Sequence, residues 1–314
     1  MIRIIKSEAN QIEELDRIVP GAWIALTDPS QDELEWVSAK MDIETEDLKA
    51  ALDDNERSHI EIEDNYTLIL VDIPTIEERN EKQWYGTIPM GIILTKDNII
   101  TVCLSDTPVL TGLMNGKVKN FYTGWRTRFI LQILYRNAAL FLQYLRGINK
   151  KTEIIEKRLQ QSPQNKELIQ LLELEKSLVY FTTSLRSNEM VLEKLMKVET
   201  IKKYPEDTEL LEDVIIENKQ AIEMVNIYSG IINSMMDAFS SVINNNVNNV
   251  MKVLAIVTIV LSVPTMIFSA YGMNVNSAGM PFAGEPWGFV AVIGISIVLA
   301  LVVAFIFMKT KILK

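Results

Sequence analysis

Two long apolar stretches near the C-terminus constrain this chain more than any other feature. Val253 to Ala270 gives 18 residues without a charge, and Gly288 to Met308 gives 21. As helices rising about 1.5 Å per residue, both are long enough to cross about 30 Å of hydrocarbon. Between Val253 and Met308 the one charged residue is Glu285, whereas nearly all remaining charge precedes Val253. The two parts therefore belong to different solvents: a water-exposed N-terminal part and a C-terminal part that crosses a bilayer twice.

Basic residues set the orientation. Lys252 precedes the first stretch, Lys309, Lys311 and Lys314 follow the second, and the connection from Val275 to Trp287 has no Lys or Arg. Basic residues stay on the cytoplasmic side, so both termini are expected in the cytoplasm and the chain in the cell membrane as a multi-pass protein. Trp287 and Phe289 fit the aromatic belt at the outer interface. The start, Met1-Ile-Arg-Ile-Ile-Lys-Ser-Glu8, turns acidic too early for a signal peptide.

The chain has 314 residues, with 41 Asp and Glu against 31 Lys and Arg, a net charge of -10. No basic face is available to neutralise phosphates, so a nucleic-acid partner is not expected. Acidic clusters occur at Glu44 to Asp47, Asp53-Asp54 and Glu212-Asp213; singly they read as solvated surface, and together they favour cations as partners. The single Cys103 lies in an apolar run and reads as a buried strand residue. The single His59 lies among charges, so neither a Cys/His metal cage nor a His-dependent nucleophile is at hand, and no enzymatic activity or organic cofactor is expected.

Up to about residue 122 the pattern predicts a cytoplasmic α/β domain. Runs rich in Ile, Val and Tyr (Ile2 to Ile5, Ala22 to Leu26, Ile60 to Ile73, Ile88 to Leu104) read as strands. Ser30-Gln-Asp-Glu33 reads as a capped helix start, and Glu44 to Leu52 as a second helix. From 123 to 204 apolar residues recur at three and four spacing, predicting long helices broken at Ser162-Pro163-Gln164-Asn165 and at Tyr204-Pro205. From Pro205 no proline occurs until Pro264, so a stalk helix over 205–273 is expected to run into a first transmembrane helix at about 251–272. An outer loop over 274–287, a second transmembrane helix over 288–308 and a basic tail over 309–314 complete the expected architecture, an α+β membrane protein.

The first span differs from the second in carrying a polar seam. Stepping by alternating four and three residues gives Asp237, Ser241, Asn244, Asn248, Met251, Ala255, Thr258, Ser262, Thr265 and Ser269, eight of them polar. A period of about 3.5 places these on the side of a supercoiled helix that faces the axis of a symmetric bundle. Close helix packing accounts for Ala255, Ser262 and Ser269. It does not account for an acid and a cluster of asparagines leading into a membrane, which instead point to a water-filled pore. Neutral oxygens suit a hydrated divalent cation such as Mg²⁺, which sheds its water reluctantly.

The first span ends Ala270-Tyr271-Gly272-Met273-Asn274, ahead of a short loop, a second span and a lysine-bearing tail, and downstream of Asn248-Asn249-Val250-Met251-Lys252-Val253-Leu254. This arrangement resembles the CorA family of magnesium channels over the whole architecture. The resemblance implies a homopentamer whose stalk helices line a pore. It implies a selectivity ring at Gly272, Met273 and Asn274, where the Asn274 amide oxygen and Gly272 carbonyl receive the hydrated ion. It makes Asn248 the polar residue of the cytoplasmic pore, Met251 and Leu254 a hydrophobic gate, and Asp237 an inner acidic ring. It also implies regulatory Mg²⁺ between cytoplasmic domains, with Asp213 as the stalk acid and Asp53 and Asp54 as candidate partners. Where the family often has an acid after Met-Pro, this chain has Phe282, and Glu285 is the candidate substitute in the outer loop. The function implied is Mg²⁺ influx driven by the membrane potential. Alternatives are transport of Co²⁺, Ni²⁺ or Zn²⁺ on the same fold, and a non-conducting, membrane-anchored coiled-coil scaffold.

Overall fold

The computed structural model describes residues 1–8, 11–79, 82–116, 118, 121–161, 165–198, 204–274, 279–282 and 284–310. The proposed break at Ser162-Pro163-Gln164, residues 275–278 and 283 of the loop after α6, expected above as the outer loop, and the tail residues 311–314 with Lys311 and Lys314 lie outside these. The chain divides into two compact units, Met1–Met236 and Asp237–Lys314.

The first unit is built on a seven-stranded sheet of order β2-β1-β3-β7-β6-β5-β4. Its strands are β1 (Ile2–Glu8), β2 (Gln11–Leu15), β3 (Trp23–Thr27), β4 (His59–Ile62), β5 (Tyr66–Arg79), β6 (Lys82–Thr95) and β7 (Ile99–Cys103). Only β3 and β7 run parallel among the paired strands, Ala25 opposite Thr101; the other pairs are antiparallel.

Both faces of the central strands are covered, which is why their sequences read as continuous apolar runs. Successive side chains point to opposite faces, so Ile24, Leu26, Leu68 and Leu70 pack with Leu34, Val37 and Leu48. Those three lie on the short helices α1 (Gln31–Met41) and α2 (Thr45–Ala50). Ser30 caps α1 by accepting from the Glu33 amide at 3.3 Å, and the Glu33 carboxylate accepts from the Ser30 amide at 2.8 Å. Gly91 lets α2 approach: a Cβ there would lie 2.8 Å from the Ala51 methyl carbon.

The other face buries Trp23, Ala25, Ile69, Val71 and Ile73 with Phe129, Ile133, Val191, Leu211 and Val214. These come from α4 (Arg126–Gln161), α5 (Asn165–Leu195) and α6 (Pro205–Tyr271), beside the short α3 (Pro108–Met114). Cys103 is buried in β7. On α6 the buried positions Leu211, Val214, Asn218, Ala221, Val225 and Ile232 keep the three-and-four spacing of a one-sided helix.

Residues 237–271 of α6 belong to the second unit with α7 (Gly288–Lys309). Only Gly288, Val292 and Ser296 of α7 are buried, four residues apart on one face. The rest stays bare, Phe289 being 78% exposed. Apolar surface on this scale is unstable in water, and both helices pass the length and hydropathy expected of membrane spans. The chain is a membrane protein.

Candidate ion pathway and regulatory acids

The polar seam lies on an uncovered face of α6. Asp237, Ser241, Asn244, Asn248, Met251, Ala255, Thr258, Ser262, Thr265 and Ser269 are all exposed in the single chain, Met251 at 59% and its neighbour Leu254 at 57%. A groove of about 740 Å³ follows this face from Thr258 to Met273.

Four of the five seam hydroxyls share one orientation. Ser241 donates to the Asp237 carbonyl at 3.0 Å, Thr258 to Leu254 at 2.8 Å, and Thr265 to Leu261 at 2.9 Å. Ser262, two residues before the helix-interior Pro264, donates to Ile259 at 2.7 Å. A hydroxyl has one proton and two lone pairs. With each proton turned back onto the backbone, the outward face of every oxygen is an acceptor. The waters around a cation present their hydrogens outward, so such a face is matched to a hydrated cation.

At its C-terminal end, α6 closes with the Gly272 amide donating to Phe268 at 2.9 Å and Ser269 at 3.2 Å. Gly272, Met273 and Asn274 follow the last helical residue and are exposed. Pattern reading did not reveal what holds this end. The Tyr271 hydroxyl donates to the Pro281 carbonyl at 2.6 Å. The next residue, Phe282, adopts a positive φ of 59°. Its ring meets Trp287 at 5.2 Å, and its carbonyl occupies the space beside Gly288 where a Cβ would lie at 2.0 Å. Glu285 is exposed, its amide donating to the Phe282 carbonyl at 3.3 Å.

The regulatory candidates are not gathered into a metal site within one chain. Asp213 is exposed on α6, and Asp53 and Asp54 are exposed between α2 and β4. One Asp53 oxygen accepts from the Asn55 amide at 2.9 Å, an Asx turn that shapes its own loop. Among the described residues no group of three or more Asp, Glu, His or Cys is placed to hold a metal ion. Carboxylates are suitable Mg²⁺ ligands, but the described residues of a single chain present too few together.

A half-buried acid escaped pattern reading altogether. Asp72 on β5 is pushed above the usual carboxylate range by burial, while hydrogen bonds from Ser184 and Ser58 oppose the shift. Its backbone carbonyl accepts from Asn137 of α4 and Asn188 of α5, both at 2.8 Å, and its amide donates to Asn188 at 2.9 Å. It joins the sheet to both helices.

Comparison with known proteins agrees with this architecture. Residues 21–309 match the family described as CorA-like Mg²⁺ transporter protein. The cobalt/magnesium transport protein CorA of Methanocaldococcus jannaschii is 30% identical over 293 residues, covering 92% of this chain and 90% of that one. Its counterpart in Thermotoga maritima is 22% identical over 279 residues, covering 84% and 75%. The complete structure of the CorA magnesium transporter from M. jannaschii superposes with a TM-score of 0.82 at 27% identity, covering 99% of this chain and 98% of that one. With a family match over most of its length and a relative at this identity and coverage, the chain belongs to the CorA family of Mg²⁺ transporters.

Proposed function

We propose that the chain assembles as a homopentamer and admits Mg²⁺ to the cytoplasm down the membrane potential. The observation that carries this reading is the uncovered seam of acceptor oxygens leading to Gly272-Met273-Asn274. Placed around a common axis, five such seams surround a hydrated path, with Asp237 concentrating cations at the cytoplasmic end, Asn244 and Asn248 receiving hydration water, and Met251 and Leu254 closing the path by dewetting. Thr258, Ser262 and Thr265 line the membrane portion, the Asn274 amide and Gly272 carbonyl select the ion, and Glu285 attracts it from outside. For a doubly charged ion the potential contributes about 4.6 kcal/mol per 100 mV. Both termini are cytoplasmic in this reading, and Mg²⁺ between neighbouring copies, on Asp213 and an acid from Asp53 or Asp54, holds the closed state.

Co²⁺ is a second cargo, since both relatives bear the name cobalt/magnesium transport protein. The deciding experiment is ion uptake into proteoliposomes under an imposed inside-negative potential. Mg²⁺ uptake that rises with the potential supports the channel. Protein that assembles yet takes up neither ion returns the chain to the scaffold reading.

A further inference from the structure

A cleft in the first unit lies outside everything the transport reading uses. It opens between the start of β6 and the facing stretches of α4 and α5, and encloses about 530 Å³, within the range of small-molecule sites. Its base is apolar, with Ile155 and Leu174 each 7% exposed. Trp84 forms one wall, its indole set by an edge contact to Tyr180 with centroids 6.5 Å apart. Two cations line the α4 side. Lys151 and Arg158 are seven residues apart, hence on one helix face about 10 Å from each other.

Lys151 is fixed in place. Its ammonium lies 4.5 Å from the centre of the Tyr85 ring and donates to Gln83 Oε1 at 3.1 Å. Gln170 and Glu173 bring an amide and a carboxylate from α5. A concave patch with two cations runs against the charge of a chain with a net charge of -10. The combination of a flat aromatic wall, two cations along one side and amide and carboxylate groups opposite selects a ligand with a planar ring at one end and negative charge at the other.

We propose that this cleft binds a nucleotide, its base against Trp84 and its phosphates held by Lys151 and Arg158. Gln170 provides a donor and an acceptor for the edge of the base. A free phosphate would leave the indole wall unused, and a neutral aromatic would leave the cations unused. The proposal is independent of the transport reading.

The test is calorimetric titration of the full chain in detergent, with EDTA present, using ATP, adenosine and tripolyphosphate as separate probes. Saturable binding of one ATP per chain is expected, with adenosine and tripolyphosphate each at least about tenfold weaker. Arg158→Gln and Trp84→Leu should each weaken ATP about tenfold with the unfolding temperature unchanged, while Lys40→Gln on α1 leaves binding intact. The proposal is overturned if ATP shows no saturable binding. It is equally overturned if tripolyphosphate binds as tightly as ATP, or if well-folded Arg158→Gln and Trp84→Leu both bind ATP like the wild type.

Discussion

The Tyr271 hydroxyl reaches across the loop between α6 and α7 to the Pro281 carbonyl, ten residues away, at 2.6 Å. Tyr271 is the last residue of α6 and immediately precedes Gly272-Met273-Asn274, so this one bond ties the end of the helix to the far part of the loop. Tyr271→Phe keeps the ring and removes the bond, worth about 1 kcal/mol or roughly a fivefold change in the population of the fixed loop. The expected result is reduced Mg²⁺ uptake and poorer discrimination against Ca²⁺, with assembly unchanged. Wild-type discrimination in this variant would remove Tyr271 from any role in setting the Gly272-Met273-Asn274 segment.

The same loop is held again at Gly288. A methyl there would lie 2.0 Å from the Phe282 carbonyl oxygen, so Gly288→Ala must displace the loop or the start of α7. Overpacking of this kind costs about 1–3 kcal/mol. Gly294, also on α7, meets nothing within 4 Å. Thermal unfolding in detergent should show a lowered midpoint for Gly288→Ala and little change for Gly294→Ala.

Asp72 gives a pH prediction whose sign is set by its burial. Its carboxyl is raised above the ordinary 3.8, so between that value and its folded value the folded state holds more proton than the unfolded one. Stability then falls as pH rises through this window and levels off above it. Asp72→Asn cannot ionise and should lose less stability than the wild type from pH 4 upward. Denaturant unfolding at a series of pH values measures the difference, and parallel curves would contradict it.

Asp213 tests the proposed regulation. If Mg²⁺ bridges neighbouring copies there, its loss leaves acids facing one another and loosens the closed state. Asp213→Ala should raise the Mg²⁺ concentration that protects the first unit from protease. An unchanged protection profile would take Asp213 out of the site.

What could be read in advance was what local pattern encodes. β3 and β7 fall in apolar runs because both their faces are buried, α4 and α5 follow from three-and-four spacing, and α6 follows from the stretch without proline after Pro205. β2 was missed: Gln11-Ile-Glu-Glu-Leu15 has little apolar signal and is held by pairing with β1, where Arg3 reaches Glu14 at 3.0 Å. The β5–β6 ribbon runs past Ile73 to Arg79 because Thr75-Ile-Glu-Glu78 pairs across with Gln83 to Gly86, a partnership no single-strand pattern contains. For the same reason the motif at Gly272-Met273-Asn274 is visible in sequence while the Tyr271–Pro281 bond beside it is not. The direction of the seam hydroxyls also needed coordinates, since a serine or threonine can turn its proton outward or back onto its own helix.

That direction yields the last prediction. Thr258 donates its proton to the Leu254 carbonyl and leaves its oxygen exposed as an acceptor. Thr258→Val keeps the shape and branching, removes the oxygen and breaks no contact with another element. If the seam carries hydrated Mg²⁺, the loss of one acceptor from every copy raises the barrier at that level, and uptake should fall several-fold with assembly and unfolding temperature unchanged. Ile259→Val, one residue along and turned off the seam by about 100° of helix rotation, should leave uptake alone. Serine at 258 restores an acceptor without the methyl, so recovery in Thr258→Ser would assign the effect to the oxygen. Equal uptake in wild type and Thr258→Val would instead place this face against neighbouring helices, as dry packing.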